Sequence, residues 1–309
     1  MGDAAFPITE KLRRKVTGVY GAAGSAWLER IPAVVRECAD LWGLTVGAPF
    51  ADLSYNWVTR ATTADGGPVV LKVGVPEPQQ AREAEALRLY DGEGAARLIA
   101  WDAERGALLI ERLAPGTPLS ELTEDDEVSV PAAADVMRRL WRPVPDGHRF
   151  PTVADWAQDI PKYLAAFPTG GPYPRRLIDE AAALFDELLP TSDAPVLLHG
   201  DLHHDNILRA GRSPWLAIDP KGLVGEPAYE VGALLRNPGP QIASEPDLRG
   251  LLRRRIGLFA RALDMDAERL RKWGMAQAVL SACWTWEDND EPPVLAFRVA
   301  ASPRRCRRR

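Results

Sequence analysis

Two short apolar runs, each ending in a polar block, constrain this chain more than any other feature. Val196-Leu-Leu198 leads into His199-Gly-Asp201-Leu-His203-His204-Asp205-Asn206, and Ile207-Leu208 leads out. After a Gly-containing turn, Trp215-Leu-Ala-Ile218 runs into Asp219-Pro220. Short apolar runs bounded by turn residues read as buried strands. The pair of strands therefore presents Asp201, Asn206 and Asp219 around one loop mouth.

That trio suits phosphoryl transfer from a nucleotide. The transferring group needs an acceptor hydroxyl held in line and metal ions that neutralise its oxygens. Asp201 can orient the hydroxyl and take its proton. Asn206 and Asp219 are hard oxygen ligands of the kind Mg²⁺ prefers. The spacing Asp-x-x-x-x-Asn matches the kinase catalytic loop, with His199-Gly200 in place of His-Arg and Ile218-Asp219-Pro220 in place of Asp-Phe-Gly.

With His199-Gly-Asp-Leu-His-His-Asp-Asn206, Ala217-Ile-Asp-Pro220, Gly225-Glu-Pro-Ala-Tyr-Glu230 and, upstream, Leu71-Lys-Val73, the sequence resembles the aminoglycoside phosphotransferase branch of the protein-kinase-like fold. Within that branch it is most similar to the streptomycin 6-kinase and hydroxyurea phosphotransferase group, over about Trp27 to Trp286. The resemblance implies an α+β, two-lobed protein-kinase-like fold. A small β-rich lobe (1–113) would bind nucleotide, and a larger, mainly helical lobe (114–309) would carry catalysis and the acceptor. ATP with Mg²⁺ would lie in the cleft, and the acceptor would be an aminoglycoside-type hydroxyl, modified in antibiotic resistance. Phosphorylation of another small alcohol, sugar or hydroxyurea-like compound is the alternative. A nucleotide-binding pseudokinase is a third reading, and the intact set Lys72, Asp201, Asn206 and Asp219 speaks against it.

At 309 residues, with 46% hydrophobic and 26% charged content, the chain can hold two lobes with a full core. A net charge of −5 argues against nucleic-acid binding and favours a cationic small-molecule partner. Three scattered cysteines form no disulfide framework, and residues 1–20 lack a signal-peptide apolar stretch. No apolar run approaches membrane-spanning length. A cytoplasmic protein, monomeric or weakly dimeric, with no membrane partner is expected.

The chain uses 32 arginines but only 6 lysines, so a lysine inside an apolar strand is informative. Lys72 is that lysine. Its buried ammonium demands a partner. The following helix, Pro78–Asp91, offers Glu83, whose surrounding pattern resembles the family's helix; Glu85 points elsewhere and is solvated. Glu83 would aim Lys72 at the α- and β-phosphates. The loop 47–56 lacks G-x-G-x-x-G, and Ser54 is its one candidate phosphate contact. By resemblance, the backbone at Glu111 and Leu113 forms the hinge that bonds adenine, with the lobe boundary near 114.

Periodicity predicts helices over 25–43 (in two pieces, the second starting at Pro32), 131–141, 176–189, 248–263 and 266–286. Strands are predicted over 44–47, 55–62, 69–73, 97–102 and 107–112. The acidic run 121–127 reads as a solvated loop or helix start, and the basic tail 304–309 as disordered. The histidines lack the further ligands of a structural zinc set. His199 would brace the catalytic loop, and so, from below, would Tyr229 and Glu230. Lys221 could meet a phosphate oxygen, though surface placement is the plainer reading. The resemblance brings Trp284-Thr-Trp286-Glu287-Asp288 toward the acceptor, with Glu287, Asp288 and Trp284 suited to a guanidinium or amine and His204 a further candidate contact.

Overall fold

The computed structural model describes residues 6–122, 125–192 and 194–287. They divide into two compact units, one running to Gly92 and resuming over Ala96–Leu113, the other taking Glu93–Ala95 and the described residues from Ala114 on.

In the first unit, helix α1 (Glu10–Trp42) starts at Thr9, whose side chain accepts from the Leu12 amide, and ends at left-handed Gly43. Its one break is at Gly21, where φ is 54°. Leu12, Val16, Trp27, Leu28, Ile31, Val34, Val35 and Cys38 form its buried stripe and pack with Leu53, Trp57, Leu71, Val73 and Ala107 of the sheet. The sheet comprises β1 (Thr45–Pro49), β2 (Trp57–Thr62), β3 (Pro68–Val73), β4 (Leu98–Asp102) and β5 (Ala107–Glu111). Its order is β1-β2-β3-β5-β4, antiparallel throughout. Lys72 faces Val58 on one neighbour and Leu108 on the other.

Helix α2 (Pro78–Tyr90) follows β3 directly. Gln80, buried on its first turn, donates to the Gly106 carbonyl at 3.1 Å, and that carbonyl also takes the Gly74 amide at 3.0 Å. A Cβ at Gly74 would lie 2.0 Å from Gln80 Nε2. Only glycine allows this approach, which fixes α2 against the ends of β3 and β5.

The second unit holds two small sheets and most of the helices. Strands β6 (Pro115–Pro118), β8 (Ile207–Ala210) and β9 (Trp215–Ala217) form one sheet, and β7 (Val196–Leu198) with β10 (Leu223–Gly225) the other. The helices are α3 (Asp126–Leu140), α4 (Val153–Ala157), α5 (Asp159–Ala166), α6 (Arg175–Leu188), α7 (Pro227–Leu235), α8 (Gly239–Ser244), α9 (Leu248–Leu263) and α10 (Ala267–Glu287). Helix α10 lies against α6 and α7, burying Leu270, Trp273, Ala276, Val279, Leu280 and Cys283.

Several expectations need correction. The first helix begins at Glu10 rather than 25, and it bends at Gly21 while Pro32 stays inside it. Helix α3 begins five residues before Pro131, and Pro131 is carried within its early turns. Segments 153–166 and 227–244, unassigned by periodicity, form four helices. The acidic run is not wholly solvated. Asp126 is 5% exposed and accepts from Arg255 Nε at 2.9 Å, with Arg255 itself 1% exposed. The predicted tail 304–309 lies outside the described residues. Among the described residues, no helix is long and apolar enough to cross a membrane.

Arg255 also donates to the Asn237 carbonyl at 2.9 Å and to Gln241 Oε1. It thereby ties α3, α8 and α9 together. Removing one partner of a buried ion pair strands the other. Asp126→Ala should lower the urea-unfolding free energy by about 3 kcal/mol. A loss under about 1 kcal/mol would mean that the two remaining acceptors suffice for Arg255.

Candidate active site

Lys72 Nζ reaches both Glu83 carboxylate oxygens, at 2.8 and 2.7 Å, and each residue is 6% exposed. The geometry follows from the chain: β3 delivers Lys72 at a buried strand end, and Gln80 docks the helix that carries Glu83. Glu85 pairs with Arg88 on the exposed face of α2. Ser54 is half-buried in the irregular segment before β2. The Glu111 amide donates to the Arg97 carbonyl at 2.9 Å, so that amide is committed within the unit. Leu113 is buried just beyond β5.

In the second unit, β7 ends at His199 and the chain turns through Gly200, where φ is 87°. Gly200 is required twice over: by that left-handed backbone, and because a Cβ would meet Trp156 Cη2 at 3.1 Å. Beneath the turn, Glu230 of α7 accepts the amide hydrogens of His199 (2.7 Å) and Gly200 (3.0 Å). His199 Nδ1 accepts the Asp201 amide at 3.2 Å, so Nε2 carries the ring proton and donates to the Ile218 carbonyl at 2.8 Å. The Ile218 amide donates to the Asn206 carbonyl (2.9 Å), and the Lys221 amide to the His199 carbonyl (2.7 Å). These bonds lace the catalytic loop to the segment after β9 and set Asp201, Asn206 and Asp219 at one mouth.

Asn206 Nδ2 donates to the Asp201 carbonyl at 2.9 Å, which fixes the amide and leaves Oδ1 as its ligating atom. Asp219 adopts a left-handed backbone, with φ 62°, and its Oδ2 holds the Lys221 ammonium at 2.7 Å. A cation already sits on this carboxylate. Among the described residues no group of three His, Cys, Asp or Glu could by itself hold a metal ion. One carboxylate and one amide oxygen match how Mg²⁺ binds when phosphates complete its shell.

Asp201 has Arg236 Nη2 at 3.4 Å from Oδ1 and His203 Nε2 at 3.9 Å from Oδ2. Burial pushes its pKa up, but His203, Arg236, Lys221 and His199 outweigh that and leave it below the usual carboxylate value. The group is ionised at neutral pH. Burial lowers His199 to about 4 and His204 to about 3, so both imidazoles are neutral. Burial likewise raises Glu230 to about 7, opposed by the two amide bonds it accepts.

The family profile described as aminoglycoside/hydroxyurea antibiotic resistance kinase matches residues 46–289. The chain belongs to this family. It is therefore a phosphotransferase acting on a hydroxyl group. A streptomycin 6-kinase of Streptomyces glaucescens is 32% identical over 286 residues, 91% of each chain. A hydroxyurea phosphotransferase of Kitasatospora aureofaciens is 35% identical over 274 residues, 87% of this chain and 77% of that one. Among solved structures, the choline kinase LicA from Streptococcus pneumoniae superposes with a TM-score of 0.60 at 13% identity, covering 89% of this chain and 96% of that one. That likeness shows the fold, which is protein-kinase-like.

The structure of this resistance-kinase chain does not bring every expected residue to the loop mouth. His204 is corrected: it is 3% exposed and buried near Arg255, so it presents no face to an acceptor. Trp284 Nε1 donates to Asp159 Oδ2 at 2.7 Å, and its ring meets Trp156 edge-on at 5.0 Å. Glu287 ends α10, its side chain lying outside what is described, and Asp288 lies outside the described residues. Sequence reasoning missed Arg236 and Trp156. Arg236 follows α7, six positions after Glu230, and that helix had not been recognised. Trp156 carries no motif, and only the fold reveals its place beside Gly200.

Acid stability should report these buried groups. His199 and His204 bind protons more weakly folded than unfolded, so acidification below about pH 6.5 favours unfolding. Glu230 has the opposite sign: its pKa is higher folded, so as pH falls from about 7 its protonation favours the fold and partly offsets the histidines. Glu230→Gln removes that offset and leaves one oxygen for two amides. The variant should be less stable by about 1–3 kcal/mol at pH 7. It should also lose stability more steeply than the parent between about pH 6.5 and 4.5. Parallel unfolding curves across that range would show that Glu230 does not titrate there.

Proposed function

We propose that this enzyme transfers the terminal phosphoryl group of Mg²⁺-bound ATP to a hydroxyl of a streptomycin-like aminocyclitol antibiotic, and so confers resistance to it. The reading rests on one observation: an ionised Asp201 is held beside Asn206, whose amide is oriented by the Asp201 carbonyl. Asp219 and Asn206 Oδ1 would hold Mg²⁺, which when bound screens the phosphate oxygens. Lys72, aimed by Glu83, would take α- and β-phosphate oxygens. The hinge backbone at Leu113 would meet the adenine edge, with Ser54 as a further phosphate contact.

Asp201 orients the acceptor hydroxyl and receives its proton as the oxygen–phosphorus bond forms. Its low pKa makes it a weak base. That is adequate here, because in a loose transition state the acceptor proton is lost late and positioning supplies most of the rate. Arg236 and His203 keep Asp201 ionised, ready to accept. The acceptor reading draws on the net charge of −5 and on the two tryptophans, of which Trp156 lies against Gly200. Indole faces and carboxylates suit a guanidinium- or amine-bearing ring. Glu287 and Asp288 are the carboxylates proposed for it.

ATP consumption measured over streptomycin, other aminoglycosides, hydroxyurea and simple alcohols should be fastest with streptomycin, and cells expressing the protein should resist it. Greatest turnover with hydroxyurea would move the acceptor class to the alternative. Asp201→Asn should cut kcat by about 10²–10⁴-fold while ATP affinity stays near normal. Turnover within a factor of a few of the parent would remove Asp201 from its role.

Lys72→Ala and Glu83→Ala should each weaken ATP binding by about 10–100-fold, the scale of one charged hydrogen bond. The double variant should be little worse than Lys72→Ala alone, since both act through one ion pair. Losses that simply add would show that Glu83 does not act through Lys72.

A further inference from the structure

We propose that Lys221 is a resident cation of the phosphoryl-transfer site: it occupies Asp219 in the resting enzyme and, once a metal ion takes Asp219, turns its ammonium to the phosphoryl group in transit. This rests on the reading of Asp219 as a metal ligand.

The position of Lys221 carries the argument. Its ammonium is 2.7 Å from Asp219 Oδ2, in a pair whose side chains are only 26% and 30% exposed. Its backbone is anchored, because the amide donates to the His199 carbonyl at 2.7 Å. Its Cβ lies against the catalytic loop, 3.3 Å from where a Cβ on Gly200 would stand. The root of the side chain is thus fixed to the loop that bears Asp201, while four methylenes leave its tip free to swing. Its charge is felt at Asp201 and at His199, so it sits within range of both carboxylates of the mouth.

Residue type points the same way. This chain uses arginine for nearly all its cations, 32 against 6 lysines, and a static pair with Asp219 would be made at least as well by a guanidinium. A compact ammonium on a flexible stem suits a charge that changes partner. Without a cation, two ionised carboxylates would face one mouth and repel. With a metal ion on Asp219, the ammonium loses its partner, and the nearest developing negative charge is on the transferring phosphoryl oxygens.

In the step itself the acceptor oxygen bonds to the γ-phosphorus, the bond to the β,γ-bridging oxygen breaks, and its electron pair leaves with ADP. The acceptor proton passes to Asp201. Lys221 stays protonated throughout and donates hydrogen bonds to oxygens whose charge grows.

The test is a Mn²⁺ titration of the nucleotide-free enzyme, read by electron paramagnetic resonance, on the parent, Lys221→Met, Lys221→Arg and Asp219→Ala, together with steady-state kinetics. Lys221→Met should bind Mn²⁺ about fivefold more tightly than the parent, because a competing partly exposed ion pair has gone. Its kcat should fall about 100-fold, with the acceptor KM unchanged. Lys221→Arg, which keeps a cation, should bind Mn²⁺ like the parent and turn over faster than Lys221→Met. Asp219→Ala should abolish Mn²⁺ binding. If Asp219→Ala still binds Mn²⁺ like the parent, the metal-ligand reading fails. If it does not, but Lys221→Met leaves Mn²⁺ affinity or kcat unchanged, that reading stands and the Lys221 inference is overturned.

Discussion

The Glu230 carboxylate takes the amide hydrogens of both His199 and Gly200 from beneath the catalytic loop, at a position 1% exposed. The left-handed turn at Gly200 removes these amides from any strand ladder, so without an internal acceptor they would be orphan donors in the core. A carboxylate supplies two acceptor oxygens from one side chain, and α7 brings it there with Pro227 at its first position. The cost of that burial appears as a pKa raised to about 7. The same helix ends at Arg236, which faces Asp201. One short helix therefore supports the loop backbone and keeps the reactive carboxylate charged.

Burial sorts the remaining polar groups by charge. His199 must be neutral to do its work, because its Nδ1 accepts from the Asp201 amide while Nε2 donates to Ile218. A protonated ring would lose the accepting lone pair and release the loop on the side of Asp201. Burial without a charged hydrogen-bond partner enforces that neutrality. Asp201 is the opposite case, a carboxylate that burial alone would neutralise but that neighbouring cations hold ionised. Two groups two residues apart are thus set to opposite charge states by their partners.

What could be read in the sequence followed from how local each constraint is. The catalytic loop was legible because its residues lie within a few positions and short strands flank them. Glu83 could be chosen over Glu85 because helical geometry turns one toward the sheet and the other toward Arg88 and solvent. Helix α7 was not legible as a helix: nearly all its residues are buried, so it shows no polar face and no 3.6-residue pattern. The bend in α1 was misplaced because Pro32 is the stronger local signal, yet Gly21 is the residue that adopts the forbidden backbone angle. His204 next to His203 looked equally available to an acceptor. Only the packing shows one buried near Arg255 and the other facing Asp201. Asp126 and Arg255, 129 positions apart, left no sequence trace of their pairing.

The charged groups of the two units share one design. A buried pair such as Lys72 and Glu83 rarely adds stability, because the desolvation of two ions about cancels their attraction. Its presence at 6% exposure on a strand otherwise made of Val and Leu is therefore better explained by use than by folding. Asp201 is in the same position, held ionised by neighbours where an apolar residue would pack more cheaply. Charges fixed in a low-dielectric setting need no reorganisation when a substrate's own charge moves, and that fixed field is the largest single source of enzymatic rate. The chain accepts locally unfavourable electrostatics at Lys72, Asp201 and Asp219 and anchors each with backbone bonds or a docked helix. Those anchors, Gln80 and Glu230 among them, are where a substitution remote from the reacting atoms would reach the chemistry.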